Sequence, residues 1–227
     1  MLKNLSTLIF GGTCFLCRGG AEDLLCAACD ADLPRLPAAL CPSCALESPN
    51  GAPCGRCLAR PPRYDATVAA LAYDFPADAL IHSLKYRGEL ALAPFLGNLL
   101  LKRIPREENI DCVIPVPLST KRLRERGYNQ AVEIARPLAA AARRPLEISL
   151  CVRSRDTAAQ TGLPWNERER NVRGAFRCAG AIAGARVAVV DDVMTTGATL
   201  EEIARTLKEA GAVRVVNWVV ARTSPPA

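Results

Sequence analysis

Eight of the 11 cysteines in this 227-residue chain stand in four Cys-x-x-Cys pairs before residue 60: Cys14/Cys17, Cys26/Cys29, Cys41/Cys44 and Cys54/Cys57. Each pair lets two sulfurs converge from one tight turn, and two such turns complete the tetrahedral thiolate shell that zinc prefers. Eight sulfurs therefore predict two zinc ions. Eight residues separate Cys17 from Cys26 and nine separate Cys44 from Cys54, short enough for two successive ribbons closed by neighbouring pairs. Interleaved pairing is also open to these spacings. Pro42, Pro53 and Gly55 supply sharp turns, while a few leucines and Phe15 give only a thin core that metal must supplement. A closed four-sulfur site has no coordination position for water, so the predicted role is structural. A single pair ahead of a helix in a βαβ unit would suggest dithiol redox chemistry; four pairs in a Pro/Gly-rich stretch do not.

The cysteine spacing stops near ARPPR at 59–63, which divides the chain into a zinc-ribbon domain at 1–61 and a second domain at 62–227. Half of the residues are apolar, 23% are charged, and no run approaches the length of a membrane span, so no membrane insertion is expected. The opening segment MLKNLSTLIFGGTC has one lysine and an apolar patch too short for a secretory signal, so a cytoplasmic location is expected. Of 29 basic and 23 acidic side chains, residues 1–60 hold five of each, which leaves 24 against 18 in the remainder. The whole excess of +6 belongs to the second domain. It suits phosphorylated small molecules or nucleic acid, and equally plain solubility.

From residue 64 the pattern alternates between strand and helix signals. Strands are predicted at 66–73, 111–115, 148–152, 175–178, 186–190 and 213–220, and helices at 77–86, 92–103, 128–142 and 198–210. The stretch 116–127 reads as a loop. This is an α/β fold with a mainly parallel sheet flanked by helices, and such sheets bind ligands beyond the C-terminal ends of their strands. The loops at 115–127 and 191–199 thus become the candidate site. His82, the only histidine, has no second histidine to work with, and Cys112, Cys151 and Cys178 read as small buried hydrophobes.

The predicted strand at 186–190 stops at two carboxylates, Asp191 and Asp192, and Thr195, Thr196, Gly197, Ala198 and Thr199 then open a helix. The carboxylates can accept hydrogen bonds from ribose hydroxyls and help to hold magnesium. Backbone N–H groups at a helix N-terminus, with threonine hydroxyls and a glycine that permits close approach, cradle phosphate. A Walker-type loop would need a GK[ST] ending, which is absent. The segment VVDDVMTTGATL at 189–200 resembles the 5-phosphoribosyl-1-pyrophosphate (PRPP) signature of type I phosphoribosyltransferases. That resemblance implies a PRPP site at Asp191, Asp192 and Thr195 to Thr199, with magnesium accompanying the ligand. In purine-specific members the position of Thr195 holds an aspartate near the base, so the threonine disfavours purine salvage.

In the earlier loop, VPLSTKRLRERGYNQ at 116–130 places Lys121, Arg122, Arg124 and Arg126 within six residues, a density that suits pyrophosphate or nucleic-acid phosphate. Together with LKYRGE at 84–89, TAAQTGL at 157–163 and RNVRGAF at 170–176, it makes the chain similar to the ComF family over nearly its whole length. The Cys-x-x-Cys array is similar to that family's double zinc ribbon. The resemblance implies that Arg122 and Arg126 line a pyrophosphate loop supported by Asn129 and Gln130, with Lys85, Thr157, Gln160, Arg170 and Asn171 near the ligand. It also implies a role in natural transformation and the handling of incoming DNA. Three readings follow: an enzyme with an unidentified phosphoribosyl acceptor, a ligand sensor, or a DNA-uptake factor. The last would bind single-stranded DNA and dock a competence helicase or a DNA-uptake channel protein.

Overall fold

In the computed structural model, which describes residues 12–155 and 167–224, the elements in chain order are β1 (Gly12–Thr13), β2 (Gly20–Ala21), α1 (Ala27–Ala31), α2 (Gly55–Ala59), β3 (Ala66–Ala72), α3 (Ala77–Tyr86), α4 (Leu92–Leu101), β4 (Cys112–Pro115), α5 (Thr120–Arg126), α6 (Gln130–Ala142), β5 (Cys151–Arg153), α7 (Glu167–Val172), β6 (Phe176–Cys178), β7 (Arg186–Met194), α8 (Ala198–Glu209) and β8 (Arg214–Arg222). The continuous apolar runs of β7 and β8 suit strands buried on both faces, and they form the centre of a parallel sheet ordered β3-β8-β7-β4. Alternate side chains divide between the faces. Ala188, Val190, Val216, Trp218 and Val220 join a core with α3, α4 and α6, whereas Val187, Val189, Val215 and Val219 join one with α8.

Both edges of the sheet are covered. The segment between the second and third cysteine pairs runs beside β3, with an antiparallel bridge from Arg35 to Leu71 and hydrogen bonds from Leu36 N to the Ala70 carbonyl (3.2 Å) and from Ala72 N to the Pro34 carbonyl (2.7 Å). At the other edge, β4 exchanges bonds with residues 145–147. Such cover removes the unpaired backbone groups that make an open edge prone to association. The cysteine-rich region is therefore built onto the sheet: Cys14, Leu25 and Leu33 pack into the α3/α4 core, and Cys41, Cys44 and Cys57 into the α8 core.

Several predicted boundaries shift. Residues 120–126, predicted as loop, form α5; its charged sequence has no apolar stripe to give a periodic signal. The Ser119 hydroxyl caps it by accepting from Arg122 N at 3.3 Å, and Gly127, at φ +82°, ends it in the left-handed conformation. The helix predicted from 128 begins at Gln130, because Asn129 is its N-cap and accepts from Ala131 N at 3.0 Å. Strand β7 continues past Val190 to Met194, since β8 offers pairing partners out to Arg222. The strands predicted at 148–152 and 175–178 become the antiparallel pair β5–β6. Cys112 and Cys151 are buried, Cys178 only partly. Among the described residues, no helix is long and apolar enough to cross a membrane.

The α4–α6 contact that backs the sheet depends on Gly97. A Cβ there would lie 3.0 Å from Pro137 Cγ and 3.2 Å from the Ile134 carbonyl oxygen. Gly97→Ala should gain helix propensity but lose more by overpacking, for a net cost of about 1–2 kcal/mol. Denaturant unfolding of the zinc-loaded protein measures it, and a gain in stability would contradict this account of the contact.

Candidate functional site

The cysteine quartets are Cys14, Cys17, Cys26, Cys29 and Cys41, Cys44, Cys54, Cys57; in each, the four sulfurs lie within 4.8 Å of one another. Neighbouring pairs therefore converge, and interleaving is excluded. Cys26 and Cys54 stand at the N-caps of the short helices α1 and α2, which turn Cys29 and Cys57 back toward them. The sulfurs of a quartet do not ionise alike without a cation. Backbone N–H groups of Cys26 and Cys17 bring Cys14 down to about 6, while hydrogen bonding with Cys26 and burial push Cys29 up to about 12. A divalent ion resolves this conflict by favouring four thiolates. The donor sets fit two closed structural zinc sites.

A cavity of about 360 Å³ lies beyond the C-terminal ends of the sheet. All four strands reach it: Tyr73 follows β3, Val116 follows β4, Asp191 and Asp192 belong to β7, and Thr223 follows β8. Being consecutive on a strand, the two carboxylates lean toward opposite faces. Asp192 is buried on the α3 side, where the Lys85 ammonium approaches its Oδ2 at 2.9 Å. Burial would lower the Lys85 pKa, but Asp192 outweighs it and holds the ammonium above its ordinary value. Asp191 keeps some surface open to the cavity, and its Oδ1 accepts from Asp192 N at 2.9 Å. Burial, reinforced by the charge of Asp192, raises its pKa well above the usual carboxylate range.

The strand-to-helix turn after β7 forms a narrow recess between Asp191 and Leu200. Gly197 adopts φ +85°, and a Cβ there would meet Met194 Cε at 2.8 Å and the Tyr64 hydroxyl at 3.3 Å. Only glycine fits this turn without displacement. The Thr196 hydroxyl accepts from Ala198 N at 3.1 Å, so this donor is already engaged. Thr195 and Thr199 face the larger cavity, while Thr196 is on the side of α2.

Because 120–126 is helical, Arg122 and Arg126 share one face four residues apart and line the cavity, whereas Lys121 and Arg124 are turned to solvent. Gln130 accepts from Arg126 Nη1, and the Arg126 guanidinium also lies 5.2 Å above the Tyr86 ring. Asn129 ties α6 to the end of β4 by donating from Nδ2 to the Val116 carbonyl at 3.0 Å. Thr157 and Gln160 lie outside the described residues. Arg170 and Asn171 belong to α7 and are not among the described lining of the cavity. His82 is exposed, with its ring 4.7 Å from that of Tyr86.

Tyr73, Arg153, Thr223 and the buried Arg222 were not anticipated. Arg153 extends from β5 into the cavity beside Phe176. The one available sequence signal was a charge at each end of an apolar run, such as Arg222 closing RVVNWVVAR.

The raised pKa of Asp191 carries a sign. A carboxyl that is more basic in the folded state contributes stability below the ordinary carboxylate range and loses it as pH rises through the folded value. Asp191→Asn keeps the acceptor for Asp192 N and removes this loss. Without ligand it should be more stable than wild type near pH 8, with the advantage shrinking toward pH 4. Thermal unfolding across that range checks this; an advantage independent of pH would refute it.

Family models match both the sheet-bearing and the cysteine-rich parts of the chain. The model of a phosphoribosyl transferase domain matches residues 126–224, and that of a double zinc ribbon domain matches residues 5–58. The DNA utilization protein YhgH of Salmonella typhimurium is 35% identical over 222 residues, covering 93% of this chain and 97% of its own. Competence protein F of Haemophilus influenzae is 33% identical over 226 residues, covering 94% and 98%. Among solved structures, glutamine PRPP amidotransferase from B. subtilis complexed with ADP and GMP is 26% identical at a TM-score of 0.39, over 55% of this chain and 25% of that one. With a phosphoribosyl transferase domain, a double zinc ribbon and relatives matched along nearly their full length, the chain belongs to the ComF family.

Proposed function

We propose that the cavity binds PRPP with magnesium, and that through it the protein serves the uptake or processing of incoming DNA. The observation that carries the ligand reading is that one cavity is lined both by an acidic pair within a central parallel strand and by two arginines on one helical face. Asp191 and Asp192 would accept from the ribose hydroxyls, and the turn from Thr195 to Thr199 would hold the 5-phosphate at the N-terminus of α8. Arg122 and Arg126, steadied by Gln130 and Asn129, would take the pyrophosphate, where planar guanidinium groups match phosphate oxygens. Magnesium would be held with the help of Asp191 and Asp192 and would offset the charge of the pyrophosphate. The Lys85 ammonium, 2.9 Å from Asp192 Oδ2, holds that side chain in place before any ligand arrives. Thr195 offers no carboxylate toward a purine, so base salvage is not the function we assign. The two units divide near residues 61 and 62 on this reading.

Calorimetric titration with PRPP and magnesium tests the ligand. Wild type should bind, and Asp191→Ala/Asp192→Ala should weaken binding at least about tenfold, or about 1.4 kcal/mol. Equal binding by both proteins would overturn the assignment.

The DNA role rests on the relatives named for DNA utilization and competence and on the basic excess beyond residue 60. Single-stranded DNA should bind with an affinity that falls as salt rises, because phosphate contacts release counterions. Affinity indifferent to ionic strength would remove phosphate contact from the account.

A further inference from the structure

Arg222, the last residue of β8, has only 2% of its surface exposed. Its guanidinium is enclosed by main-chain carbonyls from two distant parts of the chain. Nε donates to the Cys44 carbonyl at 2.8 Å, and Nη1 reaches the carbonyls of Met194 at 2.9 Å, Thr223 at 2.8 Å, and Thr195. Cys44 belongs to the second cysteine quartet, while Met194 and Thr195 lead from the acidic pair into the turn at Gly197. One side chain thus bridges a metal centre and the candidate phosphate cradle.

Further contacts follow the same path. Tyr64 packs against the position that a Cβ would take on Gly197, and Thr67 N donates to the Pro42 carbonyl at 2.9 Å. Arg63 N donates to the Glu201 carboxylate of α8 at 2.8 Å. Cys57 and Tyr64 on one side, and Thr196, Gly197 and Ala198 on the other, line a shared cavity of about 210 Å³. The first quartet is placed differently: Cys14 packs in the core on the opposite side of the sheet, with Leu25 and Leu33.

Charge gives this bridge a reason. A buried guanidinium is costly unless carbonyls and a counter-charge surround it. Four thiolates exceed the charge of one zinc ion, so the second centre is anionic when loaded.

We propose that Arg222 is a positioning residue that makes the second zinc site and the phosphate cradle one thermodynamic unit, with the first zinc site outside it. The inference rests on the PRPP reading above. Zinc fixes the Cys41 to Cys44 turn and with it the carbonyl that anchors Nε. The anchored guanidinium then holds the carbonyls of Met194 and Thr195 toward β8 and keeps the following turn in its ligand-ready form. Linkage is reciprocal: if zinc at Cys41, Cys44, Cys54 and Cys57 tightens PRPP binding, PRPP must retain that zinc by the same factor.

The test uses the zinc-loaded full chain. A zinc-selective chelator is added with and without saturating PRPP and magnesium, and a time course of cysteine alkylation is read peptide by peptide. PRPP should slow alkylation of Cys41, Cys44, Cys54 and Cys57 about tenfold and leave Cys14, Cys17, Cys26 and Cys29 unchanged. Equal protection of both quartets, or of neither, would overturn the coupling if calorimetry shows that PRPP binds. Absence of binding heat would instead overturn the PRPP reading, and the coupling with it. Arg222→Gln should lose the selective protection and bind PRPP about tenfold more weakly, with Arg222→Lys restoring part of each. If these variants do not fold, the wild-type footprint still decides.

Discussion

The pairing of the nine-residue strands β7 and β8 places two largely apolar strands side by side, and such a pair must be covered on both faces. The rest of the chain supplies that cover. Helices α3, α4 and α6 close one face, α8 closes the other, and β3 and β4 flank the pair within the sheet. The cysteine-rich region completes the arrangement along β3, with its quartets contributing to opposite cores. A segment too poor in apolar side chains to fold alone can be stabilised both by metal and by the sheet edge that it protects.

The same pairing fixes the chemistry at the end of the sheet. Parallel strands that finish together bring four chain segments to one rim, and β7 carries two carboxylates to it. Their different settings follow from the strand period: Asp192 faces α3 and meets Lys85, whereas Asp191 lies at the cavity with no cation so close among the described residues. The free site is therefore electrostatically uneven before any ligand is present. Arg222, at the end of the neighbouring strand, belongs to the same rim but is directed inward to backbone carbonyls. Inward-directed and cavity-lining charges thus sit side by side at one strand boundary.

Much of this was legible beforehand because it depends on local chemistry. The eight thiol ligands follow from Cys-x-x-Cys spacing, though not which pairs converge, β7 and β8 from their apolar runs, and the turn at Thr195 to Thr199 from small residues opening an amphipathic helix. Helix α5 was not legible, since a charged segment without an apolar stripe reads as loop until Ser119 and Gly127 are seen to cap it. Its discovery separates Arg122 and Arg126, which line the cavity, from Lys121 and Arg124, which do not. Arg153 and Tyr73 escaped notice because a residue's place at a strand end depends on register, which composition does not encode.

The sequence by itself determined the kinds of atoms available: eight thiols in ligand spacing, an acidic pair ahead of a small-residue turn, and a dense group of arginines. Only the tertiary structure decided how they combine. Neighbouring cysteine pairs converge because their short connections close locally, while Lys85 reaches Asp192 across more than a hundred residues. Arg222 likewise joins Cys44 to Met194 because parallel pairing aligns β8 with β7 and the zinc segment covers the adjacent edge. Local spacing can be read along a chain. The partner of a buried charge is set by which strands lie together, and that is a property of the folded core.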